Sequence, residues 1–166
     1  MAYANQQPMA TPGMVVSNGN RNVKNLPVEA DGREWSNGLF DCFADAGTCL
    51  IAWCFPCVIY SKNLKRYEHL NTKGYPDPEN GGGIFNGDCV THGCLTFCGC
   101  GFVMQMGTRR NIRARYNIKG GSGGDCCTSY CCTPCELTQE SREIELEEQS
   151  YGQQPGFVQQ ESYGKA

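Results

Sequence analysis

All thirteen cysteines of the chain fall between Cys42 and Cys135. A stretch this rich in sulfur and glycine is short of apolar bulk, so it needs cross-links or metal to hold a unique fold. The expected fold class is therefore mainly α: a small cysteine-rich, metal- or disulfide-stabilised domain with short helices and irregular loops. The ends differ in composition from the middle. Residues 1–33 and 149–166 are rich in Gln, Asn, Pro, Gly and Ser, and bury too little apolar surface to offset the entropy of ordering. They are expected to be a disordered N-terminal segment and a disordered C-terminal tail around a cysteine-rich domain at 34–148.

The cysteines form three groups. Cys42, Cys49, Cys54 and Cys57 lie in the first, Cys89, Cys94, Cys98 and Cys100 in the second, and Cys126, Cys127, Cys131, Cys132 and Cys135 in the third. Cys54-Phe-Pro-Cys57 and Cys132-Thr-Pro-Cys135 are C-x-x-C pairs. Two thiolates at that spacing reach one ion, and two such pairs complete the tetrahedral shell zinc accepts. Cys54, Cys57, Cys132 and Cys135 are the first candidate metal ligands, with Cys49, Cys131 and Cys126 as further ones. The start of the chain shows neither the basic nor the continuous apolar region of an export signal, so a reducing compartment is expected. An odd number of cysteines cannot all pair, and both facts favour metal thiolates over disulfides.

Catalytic readings fail on inventory. His69 sits in a polar stretch and reads as a surface residue, and His92 reads as a neutral buried imidazole or, less simply, a fourth metal ligand. Asp41 and Asp45, one turn apart, read as helix-start residues or as carboxylates that orient neighbouring ligand side chains, rather than as a catalytic pair. A thioredoxin-like enzyme needs a βαβ frame that the pattern lacks, and no glycine-rich run has the lysine and spacing of a phosphate loop. The chain is expected not to be an enzyme.

Charge is informative in its distribution. The formal net charge of −3 carries no nucleic-acid footprint. Arg109, Arg110, Arg113 and Arg115 make a basic run, and Glu136 to Glu148 an acidic one. The two read as solvated faces that pair with one another, or, more sharply, the arginines as a patch for anionic lipid headgroups. Cys89–Met106 has no charged residue apart from His92 and is read as a buried or interfacial helix rather than a span. Leu39–Trp53 has helical apolar spacing, Pro56 restarts a helix, and Asn71–Gly87 is a loop. Thr133-Pro-Cys-Glu136 has the form of a capping box opening a last helix that frays from about Glu147.

The order of these motifs resembles a known family. Trp35-Ser-Asn-Gly-Leu-Phe-Asp-Cys42 through Cys49, then Cys54-Phe-Pro-Cys57, is similar to the opening of the placenta-specific-eight cysteine-rich family. Cornifelin, plant cadmium-resistance proteins and cell-number regulators belong to it. Arg110-Asn-Ile-Arg113-Ala-Arg115-Tyr116, Asp125-Cys126 and Cys131-Cys132-Thr-Pro-Cys135 match the closing half. The resemblance implies a non-enzymatic protein of the membrane surface, at the cytoplasmic face of the plasma membrane, with roles in metal homeostasis or cell-growth control. The run from Cys49 to Cys57 is closer to the animal form than to the plant one, which departs from plant-style metal transport. The expectation is zinc or a similar soft divalent metal as cofactor, with a membrane lipid surface and a homo-oligomer as partners and no nucleic acid. The alternative is a structural or interaction protein stapled by disulfides, with no metal or transport role.

Overall fold

The computed structural model describes residues 19–152; the remainder of the expected disordered head and tail lies outside them. A two-stranded antiparallel hairpin comes first, β1 Val28–Glu29 against β2 Gly32–Arg33. A 3₁₀ helix, Leu39–Asp45, leads into α1, Ala46–Cys54, and α2, Pro56–Thr72. After a loop come α3, Gly87–Phe97, and α4, Gly101–Tyr116. Two more helices follow, α5, Ser122–Cys131, and α6, Thr133–Gly152. The mainly α, cysteine-rich class read from the sequence is the observed one.

Local chemistry sets most boundaries. Asp41 accepts a hydrogen bond from the Gly38 amide at 2.8 Å, and Asp45 accepts one from the Thr48 amide at 3.1 Å, so both are helix-start residues as expected. Pro56 opens α2 at the first helical position, where its missing N–H is harmless. Asn86 caps α3 by accepting from the Cys89 amide. The uninterrupted helix expected over Cys89–Met106 does not form. Gly99 adopts φ +76°, a left-handed turn that favours glycine, and the chain reverses there into α4.

Helix α6 lies at the centre, packed against α1, α2, α4, α5 and the 3₁₀ helix. Its inward positions include Leu137 and Ile144, but also Glu136, Glu140, Glu143 and Glu147. These four recur at helical spacing, so carboxylates form one buried stripe. Buried carboxylates persist when paired and hydrogen-bonded. Arg33 reaches Glu143 at 2.6 Å, with side chains 1% and 2% exposed. Glu143 also accepts from the Ser36 amide and hydroxyl. Arg115 meets Glu147 at 2.8 Å, and the Tyr116 hydroxyl donates to the same carboxylate at 2.7 Å. Arg113 pairs with Asp125, and Arg66 with Glu148 on the rim. Arg109 stacks on Trp35, donates to Gln139 and lies 3.3 Å from Asp125.

Three expectations are corrected here. The basic and acidic runs do pair, but in the interior rather than as solvated faces: Arg109, Arg113 and Arg115 are turned to carboxylates, and Arg110 is the exposed one of the four. The ordered unit is wider than 34–148. Arg33 is bound to α6, and α6 continues to Gly152 with Ser150 and Tyr151 buried, because interior packing outweighs the adverse charges at its end. The capping box is absent. Thr133 donates to the Ser129 carbonyl at 2.8 Å and Glu136 turns inward to the Ser129 hydroxyl, because α5 runs into α6 across the single residue Cys132.

Glu136 and Glu140 share the field of Arg109 without a close ion pair of their own. Burial pushes Glu136 up to about 7 against the partial offset of Arg109, and Glu140 well above its usual range. A carboxyl whose folded value is raised favours the fold when protonated. Its contribution is complete below the unfolded value of 4.5 and is lost as pH rises through about 7. Glu136→Gln keeps the acceptor for Ser129 and removes the buried charge. It is expected to raise the unfolding free energy from urea denaturation at pH 8 by on the order of 2–3 kcal/mol, and to leave it near wild type at pH 4.5. Arg33→Met strands Glu143, and equilibrium denaturation is expected to show a loss of about 3–5 kcal/mol.

Candidate functional site

The cysteines sort by position into two internal loci and an exposed set. At the first locus, the 3₁₀ helix supplies Cys42, α1 supplies Cys49, and the start of α6 supplies Cys135 with Cys132 just before it. Cys42 Sγ lies 3.5 Å from Cys135 Sγ. Cys132 and Cys135 are joined as a disulfide. Burial, followed by its hydrogen-bonded neighbour Cys42, pushes the Cys49 thiol up. Cys135 sits in the first turn of the twenty-residue helix α6.

At the second locus Cys57, in the first turn of α2, meets Cys89, in the first turn of α3. Burial, reinforced by Cys57, pushes Cys89 up to about 11. Gly93 lies beside this pair, where a Cβ would sit in ordinary van der Waals contact 3.8 Å from Cys57 Sγ. One turn along α3, His92 is fully buried and stacked on Tyr60 at 4.2 Å. Burial lowers it to about 4, so it is the neutral imidazole expected; Nε2 accepts from Gln105 at 3.0 Å.

The expected quartet is thus divided. Cys132 and Cys135 are together, but Cys57 faces Cys89 and Cys54 is exposed. Cys49 is at the first locus as a neighbour of Cys42. Cys131 is exposed and Cys126 half-buried on α5. Cys42 is the residue that C-x-x-C spacing passed over. Its signal was the seven-residue interval to Cys49, two helical turns, which returns both side chains to one side. With Cys132 and Cys135 joined, the described residues hold no group of three or more His, Cys, Asp or Glu able to bind a metal ion. Reduction frees two more sulfurs beside Cys42 and Cys49. Four thiolates are a donor set suited to zinc or another soft ion.

The surface around these loci is inverted relative to the core. Phe40, Phe43, Leu50 and Trp53 carry the apolar spacing that predicted a helix, yet they point outward, Trp53 with 72% of its surface exposed. On α3, Val90 and Phe97 do the same, Phe97 with 95% exposed. The Cys57–Gly93 approach belongs to the packing of α2 on α3. Among the described residues no single helix is long and apolar enough to cross a membrane. Leu39–Cys54 with Pro56–Thr72 reaches the length and composition only as a pair bent by 115°.

No solved structure matches the chain. The protein PLANT CADMIUM RESISTANCE 2 of Arabidopsis thaliana is 32% identical over 111 residues, covering 67% of this chain and 66% of that protein. Cell number regulator 10 of Zea mays is 30% identical over 130 residues, covering 74% and 73%. Cornifelin homolog B of Xenopus laevis is 30% identical over 118 residues, covering 70% and 83%. The chain thus spans a little under two thirds of the cadmium-resistance relative. The profile of the PLAC8 family matches residues 35–143, from the tryptophan under Arg109 to the glutamate held by Arg33, and the chain belongs to that family.

Proposed function

We propose that the chain is a non-enzymatic, membrane-associated protein that binds zinc or a similar soft divalent ion through thiolates, in metal homeostasis or growth control. The observation that carries the metal reading is the meeting of Cys42, Cys49, Cys132 and Cys135 where three elements converge on the start of α6. The relatives named for cadmium resistance and for cell number support the two processes. In a reducing compartment those four side chains would hold the ion, and the dipole of α6 would favour the thiolate of Cys135. The Cys132–Cys135 disulfide favours the second reading, a protein stapled by sulfur without metal.

Membrane association rests on the exposed aromatic residues rather than on the arginines. An apolar surface of this kind fits the interfacial zone of a bilayer, where Trp and Phe insert and polar backbone stays satisfied within helices. The cytoplasmic face of the plasma membrane agrees with free thiols on that surface.

Full-length protein purified under reducing conditions without added metal is expected to carry about one zinc per chain by elemental analysis. Cys42→Ser and Cys49→Ser should each abolish most of it, whereas Cys54→Ser should not. Less than half an equivalent in wild type, or loss with Cys54→Ser alone, assigns the cysteines to the disulfide reading. For the membrane, flotation with anionic vesicles is expected to fall at least tenfold in Trp53→Glu and to change little in Arg110→Gln. The opposite ranking would restore the arginine patch.

A further inference from the structure

Cys94, Cys98 and Cys100 belong to neither internal locus. All three are exposed, free thiols at the end of α3 and in the turn to α4. Val90, Cys94, Phe97 and Cys98 recur at intervals that place them along one side of α3, and every one of them is exposed. No Asp, Glu, Lys or Arg interrupts the sequence from Cys89 to Met106. This outward strip has the composition of an interior and none of its cover. The thiols do not pair with each other, and they join no metal-binding group among the described residues. Cys100 Sγ donates to the Cys98 carbonyl at 3.8 Å.

We propose that Cys94, Cys98 and Cys100 are S-acylation sites that take long-chain fatty acyl groups. The inference rests on the membrane reading above, and its occupant is the bilayer. An acyl-coenzyme A thioester, presented by a membrane acyltransferase, supplies the acyl group. The cysteine sulfur attacks the thioester carbonyl carbon, a new carbon–sulfur bond forms, and coenzyme A leaves as a thiol carrying the proton the cysteine gave up. No oxidant or reductant is consumed. Phe97 and Val90 seat the helix at the depth where an acyl chain enters the hydrocarbon, and the Gly99 turn presents Cys98 and Cys100 beyond the helix end. One acyl chain gives reversible membrane binding and two give stable anchoring, so adjacent thiols convert a surface contact into a lasting one. The other exposed thiols lack this setting. Cys54 stands alone at the end of α1, and Cys127 and Cys131 lie on α5 beside Asp125 and Tyr130.

The test is metabolic labelling of the full chain in cultured cells with an alkynyl palmitate analogue, read with and without hydroxylamine. Wild type is expected to carry hydroxylamine-sensitive label. C94S/C98S/C100S is expected to lose at least nine-tenths of it, with C54S and C127S/C131S retaining it. Because the three side chains are exposed, the triple variant is expected to unfold at the wild-type temperature, which circular dichroism checks. No label on wild type, label surviving in the triple variant, or equal loss in C54S overturns the assignment. Flotation of bacterially produced, unacylated protein separates the two ideas. Flotation without cellular labelling removes acylation and leaves the membrane reading; absence of flotation removes the membrane reading itself.

Discussion

The fold depends on burying a row of carboxylates along α6 and meeting them with arginines drawn from the hairpin, α2 and α4. Glu143 takes Arg33 from the hairpin, Glu147 takes Arg115 from α4, and Glu148 takes Arg66 from α2. Asp125 on α5 holds Arg113 and lies against Arg109, which Trp35 covers from the other side. An isolated charge in such a place is prohibitive, so each pair acts as a condition on the position of two elements. Leu70, Ile112, Ile144 and Tyr151 supply apolar contact around these pairs, but the pairs fix which helix faces which. Glu140 is the carboxylate the arrangement satisfies least, with Arg109 no nearer than 3.9 Å, and it and Glu136 both carry a raised affinity for a proton.

The same arrangement explains why the surface looks like a core. Arginine and glutamate occupy inward positions that apolar side chains hold in an ordinary helical domain, and Phe, Trp and Leu are left on the outside of the 3₁₀ helix, α1 and α3. Isolated exposed hydrophobics need no explanation, but aromatic residues repeated along adjoining helices do. The cysteine loci lie between the two regimes. Cys42, Cys49 and Cys135 are at the junction of the apolar-surfaced α1 with the charged interior around α6. A bound ion there would tie the two halves together at the point where neither ion pairs nor apolar packing dominates.

Much of the framework was legible in the residues. Helix starts at Asp41, Asp45 and Pro56 follow from local chemistry that needs no tertiary partner. The loop after α2 follows from its turn residues. The helical period of the glutamates was equally visible, but period gives a face and not its direction. Its inward side depends on arginines up to 110 positions away, which no local pattern connects. The aromatic face of α1 shows the same limit: apolar spacing announces a helix with two unlike sides, and says nothing of whether the apolar side turns inward. At the candidate site, C-x-x-C spacing found Cys132 and Cys135 but paired them with the wrong partners. Cys42 and Cys49 approach them through the packing of α1 on α6 rather than through sequence proximity.

The latch between Arg33 and Glu143 spans 110 positions, and the Asn20 amide reaches Ser150 across 130. The hairpin, α2 and α4 therefore emerge from the ribosome carrying arginines whose partners have yet to be translated. Closing such distant contacts comes late, because loop entropy is spent before any pair forms. Until α6 leaves the exit tunnel, α2 and α4 carry arginines without their carboxylates, a natural state for a chaperone to shield. Folding is then gated by the synthesis of α6, and a chain that stops short within it leaves those arginines without counterions.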